Sequence, residues 1–338
     1  MSVYTCNQKG CLVVEGGSCL EGFSTISECP HASFGEEKER PQTESASEEI
    51  EYDDAIHFHS GEALTYPEGS SILRRAGGKV IVVIGAQFSG KTTLLSRIYE
   101  EFERGKFAGM RFAGSMTLLE YSRRCWLASC GSMRKKPDTE RTKDWESDRL
   151  LHLQVQNEQD EFTDLLIADI SGESYKTATS SVESFRKLEI IRRADQVVLF
   201  LDCKRLMDLK QRSSVESKAC AFLRLGFQEG FLGDFTSLTI VLSKWDKVGD
   251  PALQEDNHKY IEGVVRRVRS VASNAGAITV RKIAARPDPE VTWISDDDLV
   301  SLFSSWFDES PRLGRASPEY SPTPENLRRM QTYTLFYD

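Results

Sequence analysis

The chain predicts an α/β domain, and three observations carry that reading. A β-branched run, Lys79-Val80-Ile81-Val82-Val83-Ile84, leads into Gly85-Ala86-Gln87-Phe88-Ser89-Gly90-Lys91-Thr92, after which Leu94, Leu95 and Ile98 recur at helical spacing. A second apolar run, Leu165-Leu166-Ile167-Ala168, ends in Asp169 with Gly172 just beyond it. A third, Ser237-Leu238-Thr239-Ile240-Val241-Leu242, ends in Ser243-Lys244-Trp245-Asp246. Each is a short buried strand with polar residues at its end, and helical patterns lie between them.

The first of these stretches fits the phosphate-binding loop, in which two glycines, a lysine and a hydroxyl residue stand at fixed spacing between a strand and a helix. Glycine lets the backbone curl so that successive N–H groups face phosphate, and the positive end of the following helix points the same way. Gly85, Gln87, Phe88, Ser89, Gly90, Lys91, Thr92 and Thr93 are therefore the expected nucleotide-binding residues. Lys91 is expected to reach the β and γ phosphates. Thr92 offers a hydroxyl to Mg²⁺, a hard cation that takes oxygen ligands.

Bulk composition narrows the class. Hydrophobic residues make up 39% and charged residues 28% of 338, and no apolar run approaches the roughly 18 residues that span a bilayer. No signal peptide opens the chain, so the cytoplasm is expected. A net charge of -9 argues against broad binding to nucleic acid or anionic membranes. Eight cysteines without a secretory signal read as thiols or metal ligands, not as a disulfide framework.

From the N-terminus, Cys6, Cys11, Cys19 and Cys29, with His31 close behind, cluster among glycines in residues 1–35. Four thiolates, or three and His31, could hold tetrahedral Zn²⁺, and such a site supplies folding energy to a module with little apolar periodicity. The spacing departs from paired C-x-x-C knuckles, so a reduced tail and a redox pair stay open beside zinc. Residues 36–55, rich in Glu, Asp and Ser, form an expected acidic linker. His57 and His59 read as surface or edge residues. Residues 62–76 read as a lead-in to the first core strand, within a main domain at 56–310.

Residues 105–114 read as a loop and 116–128 as a short helix. Residues 131–149 are polar and contain Pro137, which predicts a loop carrying Thr139 and Thr142 just before a strand at 150–155. A threonine entering there can sense Mg²⁺ and a γ phosphate, and Thr142, nearer the strand, is the expected one. Asp169 is placed to hold Mg²⁺ through water, and Gly172 to turn its N–H onto the γ phosphate. A helix is expected at about 180–193 with Val182, Phe185, Leu188 and Ile191 inward, then a strand at 196–202 and a helix at 210–225.

Ser243-Lys244-Trp245-Asp246 decides the base. A carboxylate accepts hydrogen bonds from both N1 and the exocyclic amine of guanine, whereas adenine offers no such donor pair, and the lysine stem packs beside the ring. GTP is thus expected over ATP. A helix with Ile261, Val264, Val265, Val268 and Val271 on one face follows, then a strand at 277–284 whose end, Ala284, is positioned to touch the guanine carbonyl. Leu299, Leu302, Phe303 and Trp306 predict a closing helix. Residues 311–338, with four prolines, read as a tail.

Taken in order, Gly85 to Thr92, Asp169 to Gly172 and Ser243 to Asp246 resemble the GTPases of the translation-factor and Ras-like (TRAFAC) clade. More narrowly, Gly90-Lys91-Thr92-Thr93-Leu94-Leu95, Phe112-Ala113-Gly114-Ser115 and Ala168-Asp169-Ile170-Ser171-Gly172-Glu173 resemble the bacterial double-GTPase family, proposed to act in conflict or defence systems. The resemblance implies a Ras-like, doubly wound, mainly parallel sheet, GTP/GDP and Mg²⁺ as ligands, and protein partners that include a second GTPase or an activator supplying a catalytic group. Two residues depart from the clade. Ser243 stands where Asn is usual. Glu173 stands where Ras-like members have a water-orienting Gln, which predicts slow hydrolysis by Lys91, Thr142, Gly172 and Glu173 without a partner. A GTP-bound scaffold without useful hydrolysis and an ATP-using P-loop enzyme are the other readings.

Overall fold

The computed structural model describes residues 3–6, 29–35, 59–126, 149–233 and 236–308. It divides into two compact units, residues 1–57 and 58–338. In the first, β1 (Val3–Cys6) and β2 (Ala32–Gly35) pair antiparallel, with Cys6 opposite Ala32. Cys29 is buried and its carbonyl accepts the Ala32 N–H. Cys11 and Cys19 lie outside the described residues, as do the linker at 36–55, Thr139, Thr142 and the tail at 311–338.

The second unit is built on a seven-stranded sheet in the order β4-β5-β6-β3-β7-β8-β9. Its strands are β3 (Lys79–Gly85), β4 (Arg111–Gly114), β5 (Leu150–Gln156), β6 (Phe162–Asp169), β7 (Gln196–Asp202), β8 (Ser237–Ser243) and β9 (Ala277–Ile283). The five from β6 to β9 along the sheet are parallel; β4 and β5 run antiparallel on one side. Alternation within each strand feeds two cores. Val80, Val82 and Ile84 point into one, with Val197, Leu199, Ile240 and Leu242. Ile81 and Val83 point into the other, with Ile167, Val198 and Val241. Both faces are covered, which is why β7 is buried at every position and reads as a continuous apolar run.

The helices that cover the second core are α2 (Lys91–Arg104), α3 (Leu118–Cys125) and α10 (Asp297–Ser305). Phe102, Phe107, Phe303 and Trp306 form its aromatic centre, with ring centroids 5.2–5.8 Å apart. The opposite face carries α8 (Arg212–Gln228) and α9 (Glu255–Val271); Phe222 of α8 and Val264 of α9 are fully buried there. This is the doubly wound, mainly parallel α/β architecture. No helix among the described residues is long and apolar enough to cross a membrane.

Three local readings are corrected. Residues 62–76 are not a simple lead-in: α1 (Tyr66–Ala76) forms there, started by a capping box in which Thr65 accepts the Glu68 N–H and the Glu68 carboxylate accepts the Thr65 N–H at 2.6 Å. These bonds hold the Glu68 carboxyl below the usual range. The loop expected at 105–114 contains β4, which owes its strand form to pairing with β5 and not to its own composition. The helix expected at 180–193 is two shorter pieces, α5 (Val182–Arg186) and α6 (Ile190–Arg193), and a separate short helix, α4 (Gly172–Ala178), precedes them. Ser181 is extended and its hydroxyl caps α5, which breaks the run, yet Phe185, Leu188 and Ile191 still reach the core. A further short helix, α7 (Cys203–Met207), follows β7.

Candidate functional site

The parallel strands bring their C-terminal ends, and therefore the three motifs, to one edge of the sheet, the place where open α/β sheets bind ligands. At β3 the chain leaves the sheet at Gly85, turns through Ala86 to Gly90, and enters α2 at Lys91. Gly90 has φ +94°, a left-handed conformation that suits glycine, and Phe88 adopts φ +60° despite its bulk. Phe88 is also 70% exposed. The Ser89 hydroxyl is the reverse: its oxygen is buried and makes no hydrogen bond.

Lys91 folds back into the loop. Its ammonium donates to the carbonyls of Gly85 at 3.1 Å and Ala86 at 3.3 Å, and the residue is only 7% exposed. Burial pushes this ammonium below the usual lysine range; the Asp169 carboxylate opposes that shift and the Arg205 guanidinium adds to it. The loop thus encloses a cation whose hydrogen bonds go to neutral carbonyls, and the same loop holds an unsatisfied hydroxyl. Both fit a bound anion.

Beside it, β6 lies parallel to β3 with Asp169 opposite Val83. The Thr92 hydroxyl donates to Asp169 Oδ2 at 2.9 Å, so the two residues expected to hold Mg²⁺ are in contact. Asp169 is buried. A hydroxyl and a carboxylate at the mouth of an anion loop are the oxygen donors that Mg²⁺ takes, and the pair fits that ion. The chain then crosses to Ser171, whose hydroxyl accepts the Ser174 N–H and caps α4. Gly172 comes so close to the phosphate loop that a Cβ there would stand 2.4 Å from both N and Cα of Gln87. Glu173, the next residue, is half-buried in the first turn of α4.

The third motif closes the site. Ser243 ends β8, and its hydroxyl donates to the Leu201 carbonyl of neighbouring β7 at 3.2 Å. Lys244, at φ +54°, sends its ammonium to the Phe88 carbonyl at 2.6 Å and to Asp202 Oδ2 at 2.9 Å. Asp246 follows in a tight 3₁₀ turn, Trp245–Lys247, and its carboxylate pairs with Lys247 at 2.8 Å. In the β8–β9 register Ser243 faces Ile283, which sets Ala284 just past the end of the sheet beside this turn. Ala284 is buried.

Phosphate loop, Thr92–Asp169 pair, Gly172 and base motif therefore stand together, linked by Lys244 reaching from the last motif to the first. Thr93 continues α2 beside Thr92. Thr142 falls outside the described residues. Sequence reading missed Asp202, which ends β7, caps α7 by accepting the Arg205 N–H, and holds Lys244; an acid closing an apolar run was its visible signal. It also missed Lys247 and its second partner Asp288, 41 residues away, for which only the fold supplies a signal.

A family model described as Double-GTPase 2 matches residues 79–307. No curated protein sequence matches the chain. Among solved structures, the GTPase-like domain of S. cerevisiae Ski7 bound to GDP and inorganic phosphate is similar at 14% identity and a TM-score of 0.37, over 79% of this chain and 52% of that one. The same domain bound to GTP gives 14% identity and a TM-score of 0.38, over 75% and 53%. The chain spans about half the length of these structures.

Proposed function

Because the chain belongs to the Double-GTPase 2 family, we propose that it binds GTP with Mg²⁺ and hydrolyses it to GDP and phosphate as a molecular switch. The observation that carries this reading is the contact of Thr92 with Asp169 beside the buried ammonium of Lys91, on the same sheet edge as the Asp246 carboxylate. Lys91 would leave its two backbone carbonyls for the β and γ phosphates. Thr92 would bind Mg²⁺ directly and Asp169 through water; the ion supplies positive charge where negative charge collects during phosphoryl transfer. Gly172 would offer its N–H to the γ phosphate, and its fit against Gln87 would be felt by the loop when that phosphate departs. Lys244 ties the base loop to the phosphate loop, so the two ends of the nucleotide would be held by one connected frame.

Asp246 carries the base assignment. In a titration with GTP, GDP, ATP and xanthosine triphosphate in Mg²⁺, the unchanged protein is expected to prefer guanine, and Asp246→Asn to move the preference to xanthine. An amide presents a donor to the extra carbonyl of xanthine where the carboxylate presented only acceptors. ATP binding equal to GTP binding, unaltered by the substitution, would refute the guanine reading.

Hydrolysis by the isolated chain is expected to be slow. Glu173 brings a negative charge to the helix start beside the γ phosphate position, where the attacking water needs orientation and the transition state needs positive charge. A protein partner, a second GTPase or an activator, would supply the missing group, and in related chemistry an arginine so delivered is worth about 10³- to 10⁵-fold in rate. Single-turnover measurements on purified protein test this; turnover on the order of 1 s⁻¹ without a partner would reject it. The same glutamate favours the second reading, a GTP-bound scaffold, if no partner stimulates turnover.

A further inference from the structure

The assignment of Asp246 as guanine reader leaves open what orients its carboxylate, and the inference below rests on that assignment. The Asp246 side chain is only 4% exposed, so its buried carboxylate needs a fixed hydrogen-bond partner to hold one orientation. Its neighbours in the motif are committed elsewhere: the Ser243 hydroxyl to Leu201, and the Lys244 ammonium to Phe88 and Asp202. The end of β9 contributes Ile283, Ala284 and Ala285, none with a polar side chain. Lys247 fills the gap. Its ammonium lies 2.8 Å from Asp246 Oδ2 and also bonds Asp288 Oδ2, on the chain that follows β9. The contact between adjacent residues is made possible by the tight turn, in which the Lys247 N–H closes on the Lys244 carbonyl at 3.0 Å.

We propose that Lys247, anchored by Asp288, is a positioning residue for base selection. It holds Asp246 turned so that both carboxylate oxygens meet the two N–H groups of guanine. Each carboxylate oxygen has two acceptor positions, so Oδ2 accepts the lysine and a guanine donor together. Burial acts to lower the affinity of Lys247 for its proton, but its bonds to Asp246 and Asp288 outweigh that and raise it, so the clamp stays cationic through the neutral range. Asp288 is 63% exposed, which makes it the point at which the clamp is reached from solvent.

The test uses the full chain and compares GDP with inosine diphosphate, which lacks the exocyclic amine and therefore one of the two donors. Lys247→Met is expected to weaken GDP binding about tenfold and to narrow the GDP-to-IDP ratio, because a misdirected carboxylate gains less from the second donor. Asp288→Asn, at an exposed site that folding tolerates, is expected to move both quantities in the same direction by less, and Lys247→Arg to restore part of the ratio. An unchanged ratio in both Lys247→Met and Asp288→Asn, or tighter GDP binding in either, overturns the proposal. If Asp246→Asn shifts base preference while these variants leave the ratio alone, the guanine reading stands and only the clamp falls; if Asp246→Asn shifts nothing, both fall.

Discussion

Lys91→Met is expected to remove most of the stabilisation of the protein by GDP and GTP while leaving the nucleotide-free protein at least as stable as before. The ammonium is buried against two carbonyls, and burial already pushes its proton affinity down. A cation so placed costs the free fold more than it returns, and methionine keeps most of the stem volume without the charge. With phosphate present the sign reverses, because the lysine is the one buried cation in the loop. Loss of a charge-assisted contact of this kind is worth about 3 kcal/mol or more, on the order of 100-fold in affinity. Thermal unfolding with and without nucleotide separates the two effects: a saturating ligand at about 100 times its Kd raises stability by about 2.7 kcal/mol, and that increment should fall to about 0.4 kcal/mol or less in the variant. A variant that keeps the increment would remove Lys91 from the phosphate site.

Gly172→Ala is expected to lower GTP hydrolysis, with or without a partner, by about 100-fold, while GDP binding changes little. The backbone at Gly172 has no positive φ, so alanine is conformationally acceptable there. The obstacle is contact alone. The added methyl would stand 2.4 Å from Gln87 N and Cα and 2.7 Å from its Cβ. Two of those three atoms belong to the backbone of the phosphate loop, so no side-chain rotation relieves the clash; the loop and the start of α4 must separate. Separation would move the Gly172 N–H and Glu173 away from the proposed γ phosphate position and would leave intact the remainder of the loop, proposed to hold the other phosphates. Single-turnover hydrolysis beside a GDP titration distinguishes this from general damage. Wild-type hydrolysis by the variant would show that the close approach has no role in the reaction.

The parts of this chain that sequence discloses are those in which neighbours in the chain determine the outcome. Strand, loop and helix from Lys79 to Arg104 could be read because β-branched residues, glycines and helical spacing follow one another within 26 residues. Asp169 and Asp246 were legible for the same reason, each closing or following an apolar run. Elements made by distant pairing were not: β4 becomes a strand only because Gln154, Val155 and Gln156 lie beside it. The α1 capping box is a different case, since Thr65-Tyr66-Pro67-Glu68 states it locally and the helix could have been read from it. The expected helix at 180–193 failed because a spacing of three fits both a continuous helix and successive short turns, and Ser181 chose the latter. Asp202, Lys247 and Asp288 joined the site through tertiary proximity, which no spacing encodes.

The two ends of the sheet carry a consequence for association. At β9, the Ile278 carbonyl accepts from Arg269 at 3.1 Å and the Lys282 N–H donates to the Asp298 carboxylate at 3.1 Å. At β4, the strand is four residues long and its pairing is interrupted between Phe112 and Gly114. One border is sealed by the molecule's own charged side chains and the other is too short and irregular to template a neighbour. Backbone-to-backbone growth is therefore discouraged at both ends. A second subunit that engages this unit must recognise side chains instead, which makes the encounter one of surface chemistry and leaves the sheet itself closed to self-propagation.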